Sequence, residues 1–338
     1  MKHNLITAAF AAAVALAGSS AGAQTLNTIK SRGILNCGAN VGLAGFGIPD
    51  NQGKWTGFDV DFCRALAAAI FNDPSKVKFV PTTGQNRFTA LQSGDVDVLV
   101  RNTTWTSSRD TSLGLNFTGI TYFDGQGFIV RKELKVKSAL ELNDAAVCVG
   151  QGTTTELNLA DYFRANKMKL KTVTFATNDD VVKAYEAGRC DVFTTDASGL
   201  YAERLRFAKP DEHMVLPEII SKEPLGPSVR HGDDQWFDIV KWTHFAMLTA
   251  EELGVTSKTV DQALKSDNPD VKRLVGAEGN YGEQLGLTKD WAYRIIKHIG
   301  NYDEVFERNI GQGSPLKIAR GINALWNKGG LQYAPPIR

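Results

Sequence analysis

The chain has 338 residues, 43% hydrophobic and 22% charged, an ordinary balance for a globular protein and enough chain for two lobes with separate cores. Lys2 precedes an apolar run from Leu5 to Ala17, and Ala21-Gly22-Ala23 offers small residues for cleavage, so residues 1–23 are predicted to be a secretory signal peptide. Its removal takes one lysine from the 38 basic residues and none of the 37 acidic ones, leaving a formal net charge of zero and arguing against nucleic acid or an anionic membrane as the main partner.

The apolar run is shorter than the roughly 20 residues that span a bilayer. No cysteine lies near the cleavage site to take a lipid anchor, so the mature chain is expected to be exported and soluble. Cys37, Cys63, Cys148 and Cys190 suggest disulfides in an oxidising compartment, with three connectivities open. If the chain folds as two lobes, Cys37 with Cys63 and Cys148 with Cys190 keep each bridge within one lobe. Zinc-type spacing is absent, and no metal or cofactor is expected.

In chain order, Ile34 to Cys37 reads as a buried strand. The glycine-rich loop Gly42 to Gly47 follows, but no helix opens from its glycines as a dinucleotide fingerprint requires. Asp59 is the expected N-cap of a helix whose apolar face is Phe58, Phe62, Leu66 and Ile70. Val77 to Val80 is a strand, and Arg87 to Gln92 a helix closed by Gly94. Asp95 to Val100 reads as a strand running into the polar stretch Arg101 to Arg109. Strands alternating with helices predict an α/β fold with mainly parallel sheets.

The two glycines among aromatics in Thr121 to Phe128 suit a lobe crossing. Strands follow at Ala146–Val149, Val173–Phe175 and Cys190–Phe193, with a capping box of Thr153 and Glu156 and Asp179 as a further N-cap. Ala90-Leu-Gln-Ser-Gly94-Asp-Val-Asp97-Val98 is echoed by Ala184-Tyr-Glu-Ala-Gly188-Arg-Cys-Asp191-Val192, so the same helix–turn–strand unit is expected twice. Glu223-Pro-Leu-Gly-Pro227 reads as a return hinge before a long helix from Asp234, carrying Phe237, Val240 and Phe245. The expected division is residues 24–124 for the first lobe, 125–222 for the second, and 223–338 for the return with a helical C-terminal extension padding the first lobe.

An open α/β sheet binds ligands beyond the carboxyl ends of its strands. Asn102 to Arg109 and Thr195-Asp196 end corresponding strands of the two units and can face one cleft. Arg109 can grip a carboxylate with two parallel hydrogen bonds. The helix beginning at Thr153 and Thr154 offers free backbone donors to the same group. Asp196 can pair with an ammonium, helped by Thr104 and Asn102, so a zwitterionic amino acid fits. Arg101 either enters the side-chain pocket or lies outside in an ion pair. Phe46 and Trp55 are candidates both for an apolar wall and for the core. No nucleophile elbow, metalloprotease motif or phosphate loop is present, so catalysis is not expected.

Gly57-Phe-Asp-Val-Asp61, Leu91-x-x-Gly94-x-x-Asp97, Thr104-x-Thr106-x-x-Arg109 and Gly152-Thr-Thr-Thr155 before Asp196 resemble the periplasmic polar amino-acid-binding proteins of ABC importers. Arg101-Asn-Thr-Thr-Trp-Thr106, Asp124-Gly-Gln-Gly127, Gly188-Arg-Cys-Asp191 and the Glu223 hinge narrow the resemblance to the general L-amino-acid-binding subgroup. It implies a two-lobed Venus-flytrap fold of type II and a monomeric receptor delivering L-amino acids to a membrane permease. Arg109 and the Thr154 amide would hold the α-carboxylate, and Asp196, Asn102 and Thr104 the α-ammonium. Ala44 stands where glutamine-specific members tend to place an aromatic, which fits broad specificity. A receptor restricted to glutamate, glutamine or aspartate is one alternative. Another is an exported dehydratase of prephenate-like acids on the same scaffold, for which the sequence shows no evident general acid.

Overall fold

A computed structural model describes residues 24–338; the expected signal peptide lies outside them. Two five-stranded sheets form the cores of two lobes. The first runs in the order Val77–Pro81, Leu35–Ala39, Val98–Leu99, Ser228–Arg230, Leu115–Phe117. The second runs Lys171–Phe175, Ala146–Gly150, Val192–Asp196, Gln126–Arg131, His213–Val215. In each, the first three strands pair in parallel and the fourth is antiparallel to both neighbours. That fourth strand is the one that has just arrived from the other lobe, so it leaves the hinge in the opposite sense to its neighbours. Between the sheets, Tyr122–Asp124 and Glu223–Leu225 form a two-stranded antiparallel ribbon, with Glu223 opposite Asp124. This is the type II Venus-flytrap topology.

The internal echo is structural. Both helices end at a left-handed glycine, Gly94 and Gly188. In both units the aspartate three residues later holds the start of a central strand: Asp97 Oδ2 accepts the Asn36 N–H at 2.7 Å, and Asp191 Oδ2 accepts the Ala146 N–H at 2.8 Å. The backbone N–H of each aspartate returns a bond to the same residue's carbonyl. Disulfides join Cys37 to Cys63 and Cys148 to Cys190.

Four local expectations are corrected. Asp59 is not the N-cap: the helix Phe58–Phe71 is entered from Gly57 at φ 135°, and Asp59 lies buried in its first turn. Thr177, not Asp179, caps the helix Asn178–Glu186. Thr153 accepts the Glu156 N–H, but the Glu156 carboxylate reaches back one residue further, to the Gly152 N–H. The strand expected from Asp95 shrinks to Val98–Leu99, because Asp97 is committed to capping its neighbour. In the helix Asp234–Glu252 the buried face is centred on Trp236, Ile239, Val240 and Met247, with Phe237 and Phe245 at its margin. Helices of the extension carry Trp291, Ile295, Ile296 and Phe306 into the same core as Leu66, and Arg308 and Asn309 both bond Asp61. The extension therefore pads the first lobe.

Candidate functional site

The first-lobe half of the cleft begins where the strand Val98–Leu99 ends. Asn102 sits at φ 36°, a backbone region few non-glycine residues adopt. Asp59 holds it there by accepting the Asn102 N–H at 2.6 Å, and Asn40 donates to its Oδ1 at 2.8 Å. Thr106 caps the short helix Ser107–Ser112, which turns Arg109 inward. Arg109 is buried, its Nη1 donating to the Thr104 carbonyl at 2.9 Å.

Across the cleft, Asp196 ends its strand and precedes a helix, but its carboxylate makes no capping bond. It is buried, with the Asn102 side chain near enough to temper its carboxyl. Thr154 opens the helix Thr154–Ala165, and its hydroxyl lies 3.2 Å from that of Thr104. The lobes thus meet across the cleft. Thr153 is held behind, bonding the Gly150 carbonyl and Thr155.

Two residues not foreseen complete the cluster. Glu223, on the hinge ribbon, accepts from Thr104 at 2.5 Å, Thr154 at 2.8 Å, Asn158 at 2.7 Å and Ser221 at 2.7 Å. It ties both lobes to the hinge through four donors on its two oxygens. Arg87 is buried with its Nε unbonded and its Nη1 3.5 Å from Thr103 Oγ1. Arg101 does not lie outside in an ion pair: it is buried, with Nε donating to the Thr82 carbonyl at 3.2 Å. Phe46 is fully buried against Phe58 and Tyr122 in the first-lobe core, and Trp55 stacks on Phe79.

Burial sets the electrostatics. It pushes Asp59 up to about 7 and Asp124 up to about 6. Asp196 is held well above the usual carboxylate range by burial and by the charges of Asp124 and Glu223. Burial lowers Arg101 and Arg109 to about 10, and burial with repulsion from those two holds Arg87 well below the usual arginine range. Arginine stays charged in proteins, so these depressions register buried cationic charge that Asp59, Asp196 and Glu223 offset only in part. Asp196 is the mirror case, a carboxylate lacking its cation. Among the described residues no cluster of ligating side chains could hold a metal ion.

Two α/β lobes joined by a hinge, with buried charges of opposite sign brought together where they meet, are the build of a receptor that closes around a small polar solute. The family model for bacterial extracellular solute-binding proteins, family 3, matches residues 35–259, and the chain belongs to that family. It is 62% identical, over the whole of both chains, to the general L-amino acid-binding periplasmic protein AapJ of Rhizobium johnstonii. It is 53% identical, again over both whole chains, to the glutamate/glutamine/aspartate/asparagine-binding protein BztA of Rhodobacter capsulatus. A solved ABC transporter periplasmic binding protein from Brucella ovis, with glutathione bound, superposes with a TM-score of 0.91 at 61% identity, covering 93% of this chain and 99% of that one. These relatives are receptors, not enzymes, and so is this chain.

Proposed function

We propose that the protein is a monomeric periplasmic receptor, exported by the signal peptide at residues 1–23, that binds L-amino acids and hands them to the permease of an ABC importer. The observation that carries this reading is the pair Arg109 and Asp196, both buried, on opposite walls, neither with a full counter-charge. Arg109 and the Thr154 amide hold the α-carboxylate; Asp196, Asn102 and Thr104 hold the α-ammonium. Arg87 and Arg101, buried within reach of the charges of this pair, favour acidic or amide side chains without excluding others. The relatives' names, general L-amino acids in one and glutamate, glutamine, aspartate and asparagine in another, support that breadth.

Calorimetry with a panel of L-amino acids tests this. Several should bind, and their deaminated and decarboxylated analogues should not. Silence across the panel would sink the reading. Arg109→Ala and Asp196→Ala should each weaken binding by roughly 2–5 kcal/mol, because the partner charge is left buried and unpaired. A loss below about tenfold would place the zwitterion elsewhere. Glutathione belongs in the panel: its γ-glutamyl end carries the same free ammonium and carboxylate, and the Brucella ovis neighbour has it bound.

A further inference from the structure

The C-terminal extension does more than pad the first lobe. In the hinge ribbon Phe123 lies opposite Pro224, at a pair whose backbone groups point away from each other. The N–H and C=O of Phe123 instead meet one side chain: Asn323 Oδ1 accepts the N–H at 2.7 Å, and Asn323 Nδ2 donates to the carbonyl at 3.0 Å. A single amide thus does for the hinge strand what a third strand would do. Just upstream, Gln332 Nε2 donates to the Ile120 and Thr121 carbonyls at 3.2 and 3.3 Å, and the Tyr302 hydroxyl donates to Thr121 at 2.8 Å.

Asn323 and Gln332 are both buried and are presented by one folded-back segment. There the Leu331 N–H bonds the Ile322 carbonyl and the Gln332 N–H bonds that of Ala324. Arg320 anchors the segment to the body of the first lobe through Glu251 at 3.0 Å and Asp303 at 2.7 Å, with its guanidinium over the rings of Tyr302 and Phe306. On the opposite edge of the ribbon, the Pro224 carbonyl accepts the Trp105 N–H at 2.8 Å, and the Gly226 N–H bonds the Thr103 carbonyl. The path from Asn323 across two short strands to the ligand stretch at Thr103–Trp105 is therefore continuous and hydrogen-bonded. The segment lies beyond residue 259, where the family match ends.

We infer that Asn323 is a positioning residue for closure: with Gln332 it braces the crossover strand against the first lobe and so sets the balance between open and closed forms. A buried backbone pair that loses its partner regains bonds only by opening to water, so loss of the brace loosens the hinge and populates open conformers. A ligand that binds the closed form then binds with apparent affinity reduced by the lost fraction.

The test uses the full mature chain, with Asn323→Leu, Gln332→Leu and, as a control on the same segment, Tyr333→Ala, whose ring is exposed. Hydrogen exchange at Phe123, a lobe-to-lobe spin-label distance and glutamine affinity are read for each. In Asn323→Leu the Phe123 amide should exchange at least tenfold faster, the ligand-free distance distribution should shift toward open, and affinity should fall about three- to tenfold. Asn323→Asp, which keeps the acceptor and loses the donor, should fall between, and Gln332→Leu should move the same readouts the same way. Unchanged distances and affinity in Asn323→Leu and Gln332→Leu would overturn the inference. So would an equal shift in Tyr333→Ala, which would mean general loosening of the segment. If glutamine binds no variant and not the parent either, the distance and exchange readouts still decide the brace independently of the ligand.

Discussion

Arg87 and Asp59 show at single residues what burial of ionisable groups around the cleft does to stability. Arg87 touches the Phe88 ring, 4.7 Å from its guanidinium carbon, but meets no carboxylate closely enough to offset its burial. Replacing a poorly paired buried ion by an apolar residue of similar reach is often neutral or stabilising. Arg87→Met is therefore expected to leave the ligand-free unfolding free energy unchanged or raised by up to about 2 kcal/mol. The same change should cut affinity for glutamate and aspartate at least tenfold and that for alanine much less; a uniform loss of stability with unaltered glutamate binding would make the guanidinium structural. For Asp59 the expected outcome is a pH profile. Its carboxyl is raised from 3.8 to about 7 by burial, so between those values the unfolded chain is ionised while the folded one keeps its proton. The folded state then holds the extra proton, and stability falls as pH rises through this window, level below and above it. Asparagine stays neutral and keeps an oxygen for the Asn102 N–H. Asp59→Asn should match the parent near pH 4 and gain on it up to about pH 7, by at most about 4 kcal/mol, read as melting temperature against pH.

At the scale of elements, what was legible in the sequence was what is local. The helix face Phe58, Phe62, Leu66 and Ile70, the closing glycines Gly94 and Gly188, and the repeated alanine–glycine–aspartate spacing all report on neighbours a few residues away. The misplaced caps are local too, but there the backbone decides: Gly57 reaches a φ of 135° that no side chain would favour, so it enters the helix and Asp59 is freed for the cleft. Arg87 and Glu223 were not legible as site residues, because their meaning comes from partners 16 to 119 residues away. A proline-flanked glutamate in a hinge motif was the one available hint. Asn323 lay further still from any pattern, since a lone asparagine in an irregular segment gives no periodicity to read. The disulfides divide cleanly between the units, with separations of 26 and 42 residues. Removing either pair as a double Cys→Ala change should cost about 3–4 kcal/mol by loop entropy. The two losses should add in urea unfolding, because distant sites with no shared partners usually do. A strong non-additivity would mean that the two bridges are energetically coupled across the lobe contacts.

For the whole molecule, closure is a steric fit as much as an electrostatic one. Gly84, on the first lobe, has no positive φ to require glycine, yet a Cβ there would sit 2.6 Å from the Gln151 carbonyl oxygen of the second lobe. Gly152 is met in turn by Gln85, whose Cγ would lie 3.1 Å from an added Cβ. On the other side of the cleft, Arg206 donates to the Gly42 carbonyl at 2.9 Å while pairing with Asp179 and Glu203 of its own lobe. The lobes therefore touch on both flanks of the ligand cluster, and space at Gly84 is needed only when they meet. Gly84→Ala separates closure from folding. In the ligand-free protein alanine should be neutral or stabilising by about 0.4–1 kcal/mol, since it restricts the unfolded chain more than it strains the open fold. In the closed form the backbone oxygen of Gln151 cannot swing aside as a side-chain end could, so the lobes must stop short or tilt. Amino-acid affinity should fall at least tenfold, and the rise in melting temperature produced by saturating ligand, which follows the occupancy of the folded state, should shrink with it. Small-angle scattering of the liganded variant should show a radius of gyration between those of the parent's open and closed forms. An unchanged affinity would mean that ligand is held with the Gly84 flank apart, and the closed contacts seen at Thr104 and Thr154 would then form without it.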